Sequence, residues 1–247
     1  TNAILEGRGA RTAFITNRGF EDLLAIGRQD RRALYDLTPL PVPPPVSRDL
    51  CLGTGGRIGA DSTLLEPLTP QDLAALRAIC LLFSFLDDAH ERRIEAALPP
   101  GLFVSRSSQV LPEAREYERG ITTWLNAAVG PLMQGYLARL AQALAPARLA
   151  VMQSAGLTCA AAAAGRHAVR LLLSGPAGGL AGARAVAVAA GEERLITFDM
   201  GGTSTDVALV DGEPVPTGEG RIGDWPVAVP MADIHTIGAG GGSIAWV

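Results

Sequence analysis

Hydrophobic positions spaced three and four residues apart mark the longest helical segment of the chain, Glu113–Leu144. Gly130-Pro131 interrupts this pattern, which predicts either two helices or one kinked helix. The charged run Arg115–Arg119 is predicted to form the solvated side. The apolar stripe is predicted to face the core, and its members are Ile121, Trp124, Leu125, Ala128, Leu132, Tyr136 and Leu140.

Shorter apolar patterns predict several further elements along the chain. Strands are predicted at Arg11–Thr16, Ile79–Phe85 and Leu149–Gln153. Helices are predicted at Phe20–Ile26, from Thr69-Pro70 onward, at Asp87–Ala97 and, after a glycine-rich segment at Ser174–Gly179, at Leu180–Ala190. The five prolines in Pro39–Pro45 predict an extended connection, because proline fits neither a helix interior nor a central strand.

A strand–turn–strand pattern around Asp199 carries the candidate chemistry. Two β-favouring runs, Leu195–Phe198 and Val207–Val210, flank a glycine turn, and Asp211-Gly212 after them is typical of a hairpin turn. The turn holds two glycines and three hydroxyl residues, which are Gly201, Gly202, Thr203, Ser204 and Thr205. Glycine permits close backbone approach and turn-borne N–H groups bind anions, so this turn is predicted to hold phosphate.

The two carboxylates that flank the turn are predicted to act through a metal ion. Asp199 and Asp206 repel a phosphate but suit a Mg²⁺ that neutralises it, and we expect both to be catalytic and metal-binding residues. The alternative interpretation is a plain hairpin in which the glycines only make the turn.

Composition excludes several classes of protein. The 247 residues contain no lysine, which excludes a Walker A loop, a protein-kinase site and a Schiff-base lysine. A net charge of −4 gives no electrostatic reason to bind nucleic acid or an anionic membrane, and no apolar run reaches membrane-spanning length. The separated cysteines Cys51, Cys80 and Cys159 are predicted to be reduced, buried thiols of a cytoplasmic protein.

Several motifs resemble the hydantoinase/oxoprolinase family, specifically its A-type, ATP-binding subunit. The segment D-M-G-G-T-S-T-D-V resembles the second phosphate loop of that family. Further similar segments follow in family order at Thr1–Thr16, Arg18–Gln29, Leu34–Leu37, Leu111–Arg119, Leu173–Gly179 and Val229–Ala245. In the family pattern, the loop Gly238–Ser243 is similar to a second nucleotide-contacting loop, with Gly238, Gly240, Gly241 and Gly242 on the nucleoside side.

The resemblance implies an α/β fold of the actin-like and sugar-kinase-like (ribonuclease H-like) ATPase type, present in part. It implies residues 1–98 as the remainder of the N-terminal region and residues 112–247 as the first part of the hydantoinase A domain. It further implies that ATP phosphorylates the oxygen of a cyclic amide or, in a carboxylase branch, of a ketone. A B-type partner subunit is expected. The family's first phosphate loop is expected upstream of Thr1, so the chain is interpreted as a fragment with little ATP turnover of its own.

Four further features leave alternatives open. Arg28, Arg31 and Arg32 form either a solvated surface or a contact to substrate oxygens, and Gly178 and Gly179 either pack closely or face nucleotide. Asp233 and His235 are predicted to share one side of a strand, as a structural hydrogen bond rather than a metal site. A non-catalytic remnant that only assembles with partner subunits is the alternative to an enzyme.

Overall fold

The computed structural model describes residues 2–29, 43–69, 78–202, 205–212, 216–237 and 239–244. Helices in these ranges are α1 (Asn2–Leu5), α2 (Leu23–Ile26), α3 (Ala89–Ala97), α4 (Ser107–Val110), α5 (Glu116–Ala143), α6 (Ala161–Arg166) and α7 (Ser174–Ala189). Short 3₁₀ helices cover Arg48–Leu50 and Ala168–Leu171. Within the described ranges, none of the helices combines the length and apolar composition that crossing a membrane requires.

The strands are mostly short. They are β1 (Phe14–Asn17), β2 (Cys51–Thr54), β3 (Arg57–Ile58), β4 (Leu64–Glu66), β5 (Ala78–Ile79), β6 (Ser105–Arg106), β7 (Ala150–Met152), β8 (Thr158–Ala160), β9 (Arg194–Met200), β10 (Thr205–Asp211), β11 (Pro216–Thr217), β12 (Gly220–Ile222), β13 (Trp225–Val227), β14 (Met231–Ala232) and β15 (His235–Ile237). The chain divides into two compact units, one of residues 2–132 with 222–228 and the other of residues 133–221 with 229–247. The predicted domains 1–98 and 112–247 stay a prediction.

A four-stranded parallel sheet, in the order β2-β1-β5-β6, organises the first unit. Its core contains Ile15, Ile79, Leu81 and Ile94, with Leu68 packed beside them. The predicted strand Arg11–Thr16 corresponds to β1, and the predicted helix Phe20–Ile26 is confirmed only over α2. The helix predicted from Thr69-Pro70 and most of the proline-rich connection lie outside the described residues.

The predicted strand Ile79–Phe85 is wrong beyond Ile79. The strand ends there, and a turn follows in which Phe83 has a φ of 57°. The backbone N–H of Leu82 donates to Asn17 Oδ1 at 2.7 Å, so it does not bond to a neighbouring strand. Side-chain acceptors therefore end a hydrophobic run that local pattern alone extends further.

Helix α5 is a single helix that contains Pro131, so of the two predicted alternatives the structure excludes two separate helices. In its first half the predicted core residues Ile121, Leu125 and Ala128 are buried. In its second half Leu132 and Tyr136 are 46% and 52% exposed, whereas Leu137 is buried. A Cβ at Gly165 of α6 would lie 3.2 Å from Gln134 Cα, so α6 closely approaches α5 at Gln134, three residues before Leu137.

The prediction that Arg115–Arg119 forms a solvated side is wrong for Arg119, which has no exposed surface. Its Nη2 donates to the Leu81 carbonyl at 2.9 Å, and its guanidinium lies 5.1 Å from the centre of the Phe85 ring. Glu91 of the predicted polar helix is equally buried, and Ser107 Oγ donates to its carboxylate at 2.7 Å. These partners offset part of the cost of burying charges that a sequence pattern assigns to solvent, although Arg119 Nε and Nη1 have no hydrogen-bond partner among the described residues.

The second unit contains a three-stranded antiparallel sheet in the order β15-β10-β9. Helix α7 packs on one face of it, where Leu180 contacts Ala208 and Val210. The predicted helix Leu180–Ala190 is confirmed as the main part of α7, but α7 already begins at Ser174, earlier than predicted. Pro176 fits its first turn, where backbone N–H groups have no helical partner. Asp211-Gly212 is not a hairpin turn, since the next described strand, β11, pairs with β14.

All three cysteines are free thiols, as predicted, but only Cys80 is buried. Burial raises the pKa of Cys80 to about 11, which keeps the thiol protonated at neutral pH. Cys51 and Cys159 are partly exposed, so the prediction of burial is wrong for both.

Candidate functional site

The antiparallel pairing of β9 with β10 places Asp199 directly opposite Asp206. Both predicted strands are confirmed, and each is longer than predicted. Residues directly opposite one another in an antiparallel pair point to the same face, so the two carboxylates are neighbours. The loop that separates them in sequence begins at Gly201 and Gly202, while Thr203 and Ser204 lie outside the described residues.

Two carboxylates in opposed positions repel each other. Asp199 is exposed, and among the described residues neither Asp199 nor Asp206 forms an ion pair. Such an arrangement is destabilising without a cation, so the geometry provides two hard oxygen ligands at a place where positive charge stabilises the sheet. No group of three or more acidic, histidine or cysteine side chains that suits a metal occurs in the part of the chain that the structure describes.

Thr236 is a site residue that sequence analysis missed. It lies opposite Asp206 on β15, and its Oγ1 donates to Asp206 Oδ1 at 2.6 Å. This hydrogen bond fixes the orientation of the Asp206 carboxylate. The available signal was alternation along His235–Ile237, which puts Thr236 on the opposite face from His235.

The two glycine-rich loops contact each other through backbone hydrogen bonds. Gly241 N–H donates to the Gly201 carbonyl at 2.9 Å, and Gly242 N–H donates to the Gly202 carbonyl at 2.8 Å. A side chain at Gly242 would place its Cβ 2.8 Å from the Gly202 oxygen, closer than van der Waals contact allows. Glycine is therefore required at Gly242 for the two predicted loops to meet.

Two hydroxyl groups hold these loops in place. Thr205 is buried and its Oγ1 donates to the Ala239 carbonyl at 2.7 Å, so the hydroxyl proton predicted to contact phosphate is already used. The Gly240 N–H donates to Ser243 Oγ at 2.9 Å. Gly238, the remaining predicted residue of this loop, lies outside the described residues.

A cleft of about 330 Å³ lies between α7 and the sheet. Its lining includes Asp199 and Asp206 together with Pro176, Gly179 and Ile234. A second cleft of about 610 Å³ shares Pro176 and Ile234 with the first and is bordered by Thr236. The carboxylate pair thus faces an open cleft large enough for a small molecule.

The glycines at the start of α7 differ in their surroundings. A Cβ on Gly178 would lie 3.7 Å from Met152 Cγ, which is ordinary packing. Gly179 borders the cleft beside Asp199 and has open space where a Cβ would lie. Of the two alternatives from the sequence, packing applies to Gly178 and a cleft-facing position applies to Gly179.

Two other sets of predicted residues remain, of which Asp233 and His235 border the second cleft. No hydrogen bond or ion pair joins Asp233 to His235 among the described residues, so the predicted structural hydrogen bond is absent there. Arg28 forms a two-point ion pair with Glu118, with N–O distances of 2.6 and 2.7 Å, which supports the structural alternative over a substrate contact. Arg31 and Arg32 lie outside the described residues.

Comparison with known proteins assigns both ends of the chain to one family. Residues 119–247 match the family model described as hydantoinase/oxoprolinase, and residues 1–99 match its N-terminal region. Caprolactamase subunit alpha of Pseudomonas jessenii is 34% identical over 99% of this chain and 38% of its own length. 5-oxoprolinase 1 of Arabidopsis thaliana is 32% identical over 98% of this chain and 22% of its own length.

Two solved structures share the fold. The ATP-dependent caprolactamase of Pseudomonas jessenii superimposes with a TM-score of 0.82 at 32% identity, covering 100% of this chain and 39% of that one. An acetone carboxylase superimposes with a TM-score of 0.80 at 26% identity, covering 97% and 38%. The predicted α/β, actin-like fold class is confirmed. The chain thus spans less than half the length of the relatives that it matches.

Proposed function

This chain belongs to the hydantoinase/oxoprolinase family, and we propose that it forms the phosphate-binding part of an ATP-dependent hydrolase of cyclic amides. The names of its relatives support the reaction class, since caprolactamase and 5-oxoprolinase both denote enzymes that act on a lactam. The solved caprolactamase is ATP-dependent. The proposed substrate is therefore a cyclic amide, and the proposed cofactor is ATP.

The observation that carries the proposal is the opposed pair Asp199 and Asp206 beside two bonded glycine loops. The carboxylates would hold a Mg²⁺, directly or through water, because oxygen ligands suit this ion. Thr236 would orient Asp206 through its hydrogen bond. With this ion in place, the repulsion between the two aspartates becomes an attraction to a common centre.

The glycine loops would receive the polyphosphate of ATP. Gly201 and Gly202 carry no side chain that blocks approach, and a Cβ at Gly202 would meet nothing within 4 Å. Gly240, Gly241 and Gly242 line up beside them and would contact the nucleoside side. When bound, ATP supplies a phosphoryl group that converts the amide oxygen into a better leaving group, whereas the protein mainly positions charge.

Isothermal titration calorimetry of the whole protein with Mg-ATP tests this proposal through Asp206→Asn. The substitution keeps an acceptor for Thr236 but removes the negative charge, so we expect affinity to fall about 10- to 100-fold. Asp211→Asn at the other end of the same strand is the matched control and should bind as the wild type does. Equal affinities in all three proteins would exclude Asp206 from a metal–phosphate site.

A ketone carboxylase is a second candidate, favoured by the TM-score of 0.80 with acetone carboxylase. The acetophenone carboxylase gamma subunit of Aromatoleum aromaticum is also 30% identical over the whole chain. Assaying the protein with ATP against a panel of lactams, hydantoins and ketones, with bicarbonate present or absent, distinguishes the branches. Ring opening without bicarbonate supports the hydrolase, and bicarbonate-dependent ATP consumption with a ketone supports the carboxylase.

The proposal also includes a partner subunit and a location in the cell. Relatives named as alpha and gamma subunits support assembly with a partner of the B type. The three free cysteines support a reducing compartment such as the cytoplasm. The rival proposal of a non-catalytic assembly subunit predicts copurification with the partner but no Mg-ATP affinity.

A further inference from the structure

The second cleft, of about 610 Å³, has ionisable side chains that the proposed phosphate site does not use. They come from two separate stretches of the chain and are Glu219, Arg221, Asp233 and His235. Among the described residues, neither the carboxylate of Glu219 nor that of Asp233 has an ion-pair or hydrogen-bond partner. Two carboxylates without partners therefore border one cleft, against a single guanidinium group.

Thr236 adds a further hydrogen-bond acceptor to the lining of this cleft. A hydroxyl group has one proton, and Thr236 donates its proton to Asp206 Oδ1 at 2.6 Å. The lone pairs of the same oxygen stay available, so towards a ligand Thr236 acts as an acceptor. The cleft thus offers acceptor oxygens from Thr236, Asp233 and Glu219, which suit a ligand that donates hydrogen bonds.

Apolar side chains form another part of the lining and restrict the kind of donor that fits. They are Leu173, Pro176, Met231 and Ile234, and Met231 is buried. A ligand that matches both parts has a short hydrocarbon stem and a charged end rich in donors. A primary ammonium group has three donors and no acceptor, and carboxylates attract its charge. The lining therefore favours an alkylammonium group.

We propose that the second cleft binds the ammonium end of a small linear amino acid, with Asp233 and Glu219 as acceptors. The identity of this ligand rests on the proposed function. In the net hydrolysis of a cyclic amide, the ring C–N bond breaks, water supplies an oxygen to the carbon, and the nitrogen gains both protons of that water. The neutral ring becomes a chain with one carboxylate and one ammonium group.

The position of the second cleft supports this product as its ligand. The cleft shares Pro176 and Ile234 with the cleft that contains Asp199 and Asp206, so the two are adjacent. The unreacted ring has one uncharged N–H donor, whereas the product has a charged group with three donors. Hydrogen bonds to charged groups are stronger than those between neutral groups, so the second cleft distinguishes the product from the substrate.

NMR titration of backbone amide signals tests the site on the 247-residue chain, without ATP or Mg²⁺. The probes are 5-aminopentanoate, its lactam 2-piperidone, pentylammonium and pentanoate. We expect 5-aminopentanoate and pentylammonium to bind about tenfold more tightly than the other two. The signals that move should belong to residues 217–221 and 233–236. Binding should weaken as the salt concentration rises, because salt screens the attraction between charges.

The variants Asp233→Asn and Glu219→Gln keep the shape of each side chain but remove its charge. We expect each to weaken the binding of 5-aminopentanoate several-fold, and the double variant to weaken it about tenfold or more. Both positions are exposed, so the urea midpoint should stay unchanged. Glu192→Gln removes an exposed carboxylate outside the cleft and is the matched control, which should bind as the wild type does.

Several results would overturn the proposal. Tighter binding of 2-piperidone or pentanoate than of pentylammonium, or an unchanged affinity in the double variant, would exclude an ammonium site. Displacement of pentylammonium by an equal concentration of Mg²⁺ would indicate a metal site instead. Binding of pentylammonium without 5-aminopentanoate would overturn the assignment to a ring-opened product. A failure of the proposed function is distinguishable, because it appears in the Mg-ATP calorimetry of Asp206→Asn and not in these titrations.

Discussion

Glu118 illustrates how one ion pair adjusts a single side chain. Burial of Glu118 raises its pKa, but hydrogen bonds and charge from Arg28 more than offset this, so the pKa lies below its ordinary value. The folded protein therefore binds this proton less tightly than the unfolded chain does. The stabilisation is complete above the ordinary pKa of glutamate and is lost as pH falls through the lower, folded value.

Arg28→Ala should reveal this dependence. At neutral pH we expect the free energy of unfolding to fall by no more than about 1 kcal/mol, because Arg28 is largely exposed and solvent screens the pair. The difference from wild type should shrink towards zero as pH falls below the lowered pKa of Glu118. Urea unfolding across this pH range measures it, and Arg8→Ala, which removes the exposed pair with Glu6, is the control. A difference that grows at low pH would contradict the assignment.

Individual polar residues were the least predictable part of the chain. Arg119 and Glu91 follow a solvent-facing charge pattern in the sequence, yet both are buried against partners distant in sequence, such as Leu81 and Ser107. Asp199 and Asp206 could be predicted as neighbours because a short turn joins their strands. Thr236 escaped prediction because its contact with Asp206 depends on a strand pairing between residues 30 positions apart.

At the scale of elements, the meeting of the two glycine loops depends on a position where no side chain fits. A Cβ at Gly242 would overlap the carbonyl oxygen of Gly202, a backbone atom that cannot rotate away. The hydrogen bonds from Gly241 and Gly242 to the other loop depend on this approach. The spacing between the loops is therefore determined by backbone contact.

Gly242→Ala should separate the loops. We expect a loss of about 1–3 kcal/mol in the free energy of unfolding from the steric conflict, together with weaker Mg-ATP binding by the whole protein. Gly182→Ala is the matched control, because its Cβ would meet nothing within 4 Å and alanine favours the α7 helix by up to about 1 kcal/mol. Urea unfolding and calorimetry measure both effects. An unchanged Mg-ATP affinity of Gly242→Ala would show that ligand binding does not depend on the contact between the loops.

The pattern of hydrophobic residues predicted helices and strands well where a single neighbouring layer packs on them and poorly elsewhere. Strands β9 and β10 were predicted because their apolar runs end at glycines. The stripe along α5 was right at Ile121, Leu125 and Ala128 and wrong at Leu132 and Tyr136, which are exposed. The early start of α7 was missed because glycine and proline at Ser174–Gly179 are typical of loops.

For the molecule as a whole, resemblance predicted more than composition did. Motifs in family order predicted the fold, which the TM-scores of 0.80 and 0.82 confirm. The absence of lysine narrowed the means of binding a nucleotide to backbone, hydroxyl and metal contacts. Substrate could not be predicted, because ring specificity depends on cleft side chains whose positions follow from tertiary packing.

The hydrogen bonds between Gly201–Gly202 and Gly241–Gly242 have a consequence for the rate and affinity with which a ligand binds. Glycine segments lose more conformational freedom than any others when they become ordered, and here that loss already occurs during folding. If a triphosphate binds here as proposed, it would contact loops that are already ordered, so no cost of ordering them would reduce its affinity. The residence time of the bound triphosphate would then depend on the metal ion and on the flexibility of the triphosphate itself.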